Sequence, residues 1–88
     1  MKLKNGMITD SSSGEFIAVA TGEASKTFNG LIKNNATANF LFEQLMSDTT
    51  EEKLVRSMLA KYDVSEETAQ KDVYSFILKL RETGLLNE

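Results

Sequence analysis

The feature that most constrains the fold is an amphipathic stretch near the end of the chain, which predicts a helix from Glu66 to Thr83. Tyr74 and Leu78 form an apolar edge beside its main stripe, so the apolar surface spans roughly 200°, where docking on one core needs about 100°. This surplus predicts a flank that the domain itself leaves uncovered. Alternative partners for that flank are the N-terminal residues or a second copy of the chain. At about 100° per residue, the main stripe contains Ala69, Val73, Phe76, Ile77 and Leu80.

Length and composition predict one small domain over residues 1–88. Hydrophobic residues make up 41% of the chain, as in ordinary globular proteins, and no apolar run approaches the roughly 18 residues of a membrane span. The chain has neither cysteine nor histidine, so it lacks thiolate ligands, the commonest general base and the commonest transition-metal ligand. We therefore expect no catalytic centre, no metal site and no cofactor, and we expect a cytoplasmic protein.

Three short strands are predicted before the helices. Met7 to Thr9 and Glu15 to Ala20 should form a hairpin across an Asp-Ser-Ser-Ser-Gly turn, and a third strand should run from Thr27 to Lys33. Residues 1–5 are expected to form a loosely held arm, and residues 21–26 a connecting loop. A sheet of only three strands leaves at least one edge unpaired.

Two shorter helices are predicted between the last strand and the long helix. Asn35 is a candidate N-cap for a helix over residues 36–46. Thr49 and Glu52 form a candidate capping box for a second helix that ends near Lys61. Apolar residues follow helical spacing in both segments, which indicates that each helix packs one face into the core.

The long helix also carries signals at both ends. Ser65 is a candidate N-cap, and Gly84 stands where a left-handed C-terminal cap belongs. The predicted order is three short antiparallel strands followed by three helices. This order indicates an α+β fold with the outline of a winged helix-turn-helix.

A family resemblance rests on the following residues: Phe28-Asn29-Gly30-Leu31, Asn35, Ala38 to Leu45, Thr49-Thr50-Glu51-Glu52, Tyr62-Asp63-Val64, Asp72-Val73, Phe76, Leu80 and Gly84-Leu85-Leu86. Taken in order, they resemble the PqqD-like family. The resemblance covers nearly the whole chain from about Met7, although no single motif is diagnostic. The sequence departs from the family at Asn34, where an aliphatic residue is usual, and at Ser47-Asp48, where a glycine often ends the turn.

The resemblance implies a non-catalytic peptide chaperone. Such proteins bind the leader of a ribosomally synthesised precursor peptide and present it to a modifying enzyme, commonly a radical S-adenosylmethionine (SAM) protein. The pathway would be that of pyrroloquinoline quinone (PQQ) or of another modified peptide. In the family the leader adds as a strand beside the third strand, in a cleft closed by the third helix. The peptide-binding residues implied here are Phe28, Asn29, Gly30, Leu31, Ile32 and Lys33 on the strand, and Val73, Tyr74, Ile77, Leu78 and Arg81 on the helix.

The residue pattern supports a site of this kind independently. An unpaired strand edge supplies main-chain hydrogen bonds, and pockets for alternate side chains supply selectivity. The flank of Tyr74 and Leu78 is the candidate apolar wall, with Val73 or Ile77 at the floor. At the rim, Arg81 or Lys33 can pair with a leader carboxylate.

A winged-helix DNA-binding regulator is the main alternative. The chain carries a formal charge of −3, and the candidate recognition helix, residues 66–83, has more acidic than basic residues. Phosphate neutralisation needs an excess of Lys and Arg, so we expect no nucleic-acid partner, and we expect no membrane partner. The oligomeric state stays open between a monomer and a homodimer that exchanges strands at the unpaired edge.

Overall fold

The amphipathic C-terminal stretch folds into a helix with the predicted bounds, Glu66–Thr83, in a computed structural model that describes residues 1–88. The Ser65 hydroxyl caps its start by accepting a hydrogen bond from the Thr68 amide (O–N distance 3.1 Å), and Gly84 ends it in the left-handed conformation. The predicted stripe therefore packs into the core. Its buried residues are Ala69, Val73, Ile77 and Leu80, and Phe76 is half-buried.

Strands and helices follow the predicted order, with additions at three places. The elements are β1 (Lys2–Leu3), β2 (Met7–Asp10), β3 (Phe16–Ala20), α1 (Gly22–Thr27), β4 (Leu31–Asn34), α2 (Ala36–Gln44), α3 (Glu51–Lys61), α4 (Glu66–Thr83) and β5 (Leu86–Asn87). The main sheet is antiparallel in the order β2-β3-β4, and β1 pairs separately with β5. The predicted α+β fold class is confirmed. The short helix α1 and the β1–β5 pair were not predicted.

The core lies between one face of the sheet and the three longer helices. On the sheet, Met7 and Ala18 are buried and Ile32 is half-buried. The neighbouring residues on the same strands, such as Ile8, Val19 and Leu31, are exposed on the opposite face. The largest fully buried side chains are Phe42, Leu41, Leu45, Leu54, Met58, Ile77, Leu85 and Val73. Because α2, α3 and α4 all contribute to this list, burial of their apolar faces holds the helices on the sheet.

The third strand of the sheet begins at Leu31, later in the chain than predicted. Residues 22–27 form α1, and Phe28 ends that helix in an extended conformation. Gly30 has a φ of 146°, a backbone conformation that favours glycine, and this turn separates α1 from β4. The prediction that Phe28, Asn29 and Gly30 belong to the strand is therefore wrong.

Residues 1–5 are not a loose arm. Leu3 pairs opposite Leu86 and is buried, and its amide donates to the Leu45 carbonyl at 2.8 Å. The Lys4 amide donates to the Leu85 carbonyl, also at 2.8 Å. The prediction was wrong because β1 pairs with the opposite end of the chain, and no local pattern indicates such a partner.

One of the two predicted caps on the shorter helices is confirmed. The Asn35 side chain accepts a hydrogen bond from the Ala38 amide at 2.8 Å. At the start of α3, however, Thr50 rather than Thr49 is the N-cap, and its hydroxyl accepts from the Lys53 amide at 3.2 Å. The predicted capping box is therefore wrong.

Candidate functional site

A cleft of about 470 Å³ lies between β4, the first turns of α2 and one flank of α4. Leu41 and Leu80 lie buried at its floor, and Ile32 and Phe76 are half-buried at its sides. Apart from Ala38, the remaining lining residues are polar or charged, so the cleft combines an apolar floor with a polar rim. The full lining is Ile32, Lys33, Asn34, Asn35, Thr37, Ala38, Leu41, Asp72, Ser75, Phe76, Lys79, Leu80 and Thr83.

The strand that borders this cleft is an open edge of the sheet. On one side β4 pairs with β3, with Leu31 opposite Val19 and Asn34 opposite Phe16. Outside this ladder, no backbone group of residues 31–34 bonds to another part of the chain. Such an edge presents free amide and carbonyl groups, which can pair with another extended chain.

The flank of α4 that faces β4 is fixed by aromatic packing and carries charge of both signs. Phe76 packs edge-to-face on Phe42, with ring centroids 6.4 Å apart, which orients it beside the cleft. Asp72 and Lys79 are exposed on the same flank, and Lys33 borders the cleft from β4 while its ammonium group pairs with Glu15. The site can therefore hold an apolar side chain against Phe76 and a charged group at its entrance.

Five of the predicted site residues lie in β4 or in the core. Leu31, Ile32 and Lys33 are strand residues at the open edge, as expected. Val73 and Ile77 are fully buried among other core side chains. The domain's own packing covers both, and neither lines the cleft, so a role for Val73 or Ile77 at the floor of the site stays a prediction.

Tyr74 and Leu78 lie on the other flank of α4. At about 100° per residue, Tyr74 is roughly 160° around the helix from Asp72, which lines the cleft. Tyr74 borders a separate groove of about 740 Å³ between α3 and α4, and Leu78 lines neither the cleft nor that groove. The expected position of this flank beside the third strand is wrong, and its contact with a peptide stays a prediction.

Arg81 is also outside the cleft, and another residue of the chain engages its side chain. Its guanidinium donates three hydrogen bonds to the Glu88 carboxylate, at 2.6–3.1 Å. These bonds raise the pKa of Arg81 and lower the pKa of Glu88. A leader carboxylate at Arg81 would have to compete with Glu88.

Sequence reasoning missed the polar wall of the cleft on α4. Asp72, Ser75, Lys79 and Thr83 follow one line along the helix, with Phe76 beside them. Their spacing of three or four residues is the signal that identifies one helix face. A polar line of this kind is typical of a solvated surface, so the pattern alone does not mark it as part of a site.

Fold and cleft together define a class of protein: a small winged-helix-like α+β domain with an open strand edge beside a helix. This arrangement is suited to receiving an extended chain as an additional strand. The family model described as coenzyme PQQ synthesis protein D (PqqD) matches residues 13–86, and the chain belongs to this family.

Two solved structures are similar in fold to this chain. One is described as TbiB1 in complex with the TbiA(beta) leader peptide; it has a TM-score of 0.76 and 18% identity, and the match covers 99% of this chain and 95% of the other. The second is described as lasso peptide synthetase B1 complexed with the leader peptide, with a TM-score of 0.73, 15% identity and coverage of 99% and 96%. No curated protein matches the chain significantly.

Two further features are absent from the structure. No group of three or more acidic side chains converges as metal coordination requires. Among the helices, none combines the length and the apolar character needed to cross a membrane.

Proposed function

We propose that this chain is a non-catalytic chaperone that binds the leader of a ribosomally synthesised precursor peptide as an added strand at β4. It then presents the leader to a modifying enzyme, a radical SAM protein or another peptide-modifying enzyme, in PQQ biosynthesis or a related pathway. The observation that carries this proposal is the open edge of β4 beside the cleft. Membership of the PqqD family and the leader-peptide complexes of two proteins with the same fold support it.

In this proposal the leader is held in two ways. Its backbone pairs with the free amide and carbonyl groups of Leu31–Asn34, which gives affinity that does not depend on sequence. Alternate side chains of the leader point inward, where Ile32 and Phe76 offer an apolar contact and Lys79 a positive charge at the rim. Ser75 is small and exposed on this wall, so it leaves room for an inward side chain.

The expected affinity is that of a transient complex. About four backbone hydrogen bonds contribute ~0.5–1.5 kcal/mol each. Two buried apolar anchors add roughly 1.5–3 kcal/mol apiece, and association and ordering of a flexible leader remove several kcal/mol. With contributions near the upper ends of these ranges, we expect a dissociation constant near 1 μM, about −8 kcal/mol, which allows release after presentation.

Strand addition can be tested with a leader peptide from a precursor gene beside this one and with backbone N-methylated versions of it. In a strand, the N–H groups of alternate residues point toward β4. Methylation at those residues should weaken binding more than tenfold, whereas methylation at the residues between them should have little effect. Backbone amide shifts of the chain should change around Leu31–Asn34 and Ser75–Lys79. Uniform sensitivity to methylation, or shifts confined elsewhere, would refute strand addition at this edge.

The DNA-binding alternative gains no support from the family or from the similar folds. The charges on α4 also oppose it. Acidic residues outnumber basic ones on this helix, which would be the recognition helix of such a regulator. Salt-dependent binding to duplex DNA at micromolar concentration would overturn this conclusion.

A further inference from the structure

An apolar row crosses the outer face of the main sheet, the face turned away from the core. Ile8 lies opposite Val19, and Val19 lies opposite Leu31. Their exposed fractions are 56%, 38% and 58%. Leu31 lies on the edge strand β4, so a strand added at this edge would extend the row.

The adjacent row on the same face ends in a charge. It runs from Asp10 through Ile17 to Lys33, and Lys33 also lies on the open edge. The ammonium group of Lys33 is 3.4 Å from the Glu15 carboxylate in an exposed pair. An ammonium has three donors, so it can serve a second carboxylate at the same time.

We infer that the outer face of the sheet reads the sequence of the bound peptide through Leu31 and Lys33. This inference rests on the proposed function, because it requires a peptide strand beside β4. Directly opposite residues on one face of a sheet interact, and apolar pairs and opposite charges are the favoured ones. The peptide therefore has an apolar residue opposite Leu31 and an aspartate or glutamate opposite Lys33.

Strand alternation fixes the spacing of these two residues. Leu31 and Lys33 are two positions apart, and the peptide residue between their partners faces inward opposite Ile32. The ligand class is an extended segment of the form apolar–X–acidic if the strand adds in parallel, or acidic–X–apolar if it adds antiparallel. X is a side chain that enters the cleft.

A second copy of this chain would form less favourable side-chain pairs at Leu31 and Lys33 than a peptide of this class. With an overlap of three β4 residues, antiparallel addition of a copy through the same edge sets Leu31 opposite the copy's Lys33, or Lys33 opposite the copy's Lys33. The first pairing mixes apolar and charged side chains, and the second opposes like charges, which destabilises a sheet.

A displayed library of random dodecapeptides, selected separately on the wild-type chain and on three variants, tests this inference. Peptides enriched on the wild type should show the apolar and acidic positions two residues apart. Leu31→Lys should change the apolar position to aspartate or glutamate, and Lys33→Glu should change the acidic position to lysine or arginine. Ile8→Lys alters the same apolar row on β2, the opposite edge strand and two strands from β4, so it is the matched control and should leave both positions unchanged.

Binding of the best wild-type peptide should then weaken about fivefold on Leu31→Lys and recover with an acidic residue at the partner position. All three residues are exposed, and thermal unfolding should show that the variants fold. If no peptide is enriched on the wild type, the proposed function itself fails. If peptides are enriched but both positions are the same on all chains, the inference is overturned while the proposed function stands. A change of oligomeric state on sedimentation for Leu31→Lys and Ile8→Lys, with unchanged peptides, would instead identify the row as a self-association surface.

Discussion

Replacement of Ser75 by arginine should weaken leader binding strongly, whereas the same replacement at the adjacent Tyr74 should leave it nearly unchanged. Ser75 lines the cleft beside β4, and Tyr74 lines the groove between α3 and α4. Both side chains are exposed, so neither change removes a core contact. Both variants introduce the same side chain, and each adds one positive charge. The pair therefore separates the cleft proposed here from the flank that the sequence pattern favoured.

The expected size of the effect follows from the space beside Ser75. The cleft has a volume of about 470 Å³, and an arginine on its α4 wall would occupy the place of an inward leader side chain next to Phe76. Loss of one buried apolar anchor removes roughly 1.5–3 kcal/mol. At about 1.4 kcal/mol per tenfold, the dissociation constant should rise by roughly 10- to 150-fold. For Tyr74→Arg we expect less than a twofold change.

Fluorescence anisotropy of a labelled leader peptide measures both dissociation constants, and urea unfolding of the free variants checks their stability. Exposed substitutions of this kind change the free energy of unfolding by about 0.5 kcal/mol or less. The reasoning is refuted if Tyr74→Arg weakens binding tenfold while Ser75→Arg stays within twofold of the wild type. That result would indicate that the leader binds at the flank of Tyr74 and Leu78.

Three further predictions concern stability. Leu3→Ala should lower the free energy of unfolding in urea by ~2–5 kcal/mol because Leu3 is buried. A change near zero would instead indicate that residues 1–5 are loosely held. Gly84→Ala should lower it by ~1–3 kcal/mol, since Gly84 has a φ of 77° and a Cβ there would lie 2.6 Å from the Thr27 methyl carbon; unchanged stability would contradict this packing. Arg81 holds the pKa of Glu88 below its ordinary value of 4.5, so the stabilisation by this pair is fully present above pH 4.5 and is lost as the pH falls through the lowered pKa. The difference in melting temperature between the wild type and Glu88→Gln should therefore disappear in strong acid, and a difference that persists there would contradict an ionic origin.

The elements that could be predicted from the sequence are those whose signals are local and repeated. The stripe of α4 repeats over 18 residues, with Ser65 and Gly84 at its ends, and its bounds came out as predicted. Asn35 likewise marked the start of α2. In each case the side chains that signal the element also make the contacts that stabilise it.

The elements that were missed depend on contacts that no local pattern records. Helix α1 has six residues and one buried side chain, Ala24, so it has no apolar period to detect. Thr21 has the residue type of an N-cap, but its hydroxyl donates to the Gly6 carbonyl at 2.6 Å instead of capping the helix. Because residues 21–26 were interpreted as a loop, the following strand was predicted to begin too early.

The sequence and the structure favour different flanks of α4 for a related reason. A helix stripe has two flanks, and the sequence shows which is more apolar but not which one a distant strand will border. Tyr74 and Leu78 form the apolar flank, whereas β4 borders the flank of Ser75 and Lys79. The strand edge itself was predicted correctly at Leu31, Ile32 and Lys33, because the last of three consecutively paired strands has a neighbour on one side only.

The same features that keep the edge of β4 from aggregating also suit it to a selective peptide. The strand has only four residues, and it carries a lysine on its outer face; both features discourage pairing with unrelated strands. A peptide with a carboxylate opposite Lys33 turns that obstacle into an attraction, and an apolar residue opposite Leu31 covers a side chain that is otherwise exposed. In the proposed function, specificity at this edge therefore comes from rejecting most extended chains as much as from binding one, and the polar wall of the cleft also disfavours purely apolar segments. An edge of this kind can stay open in the free protein and still accept its partner.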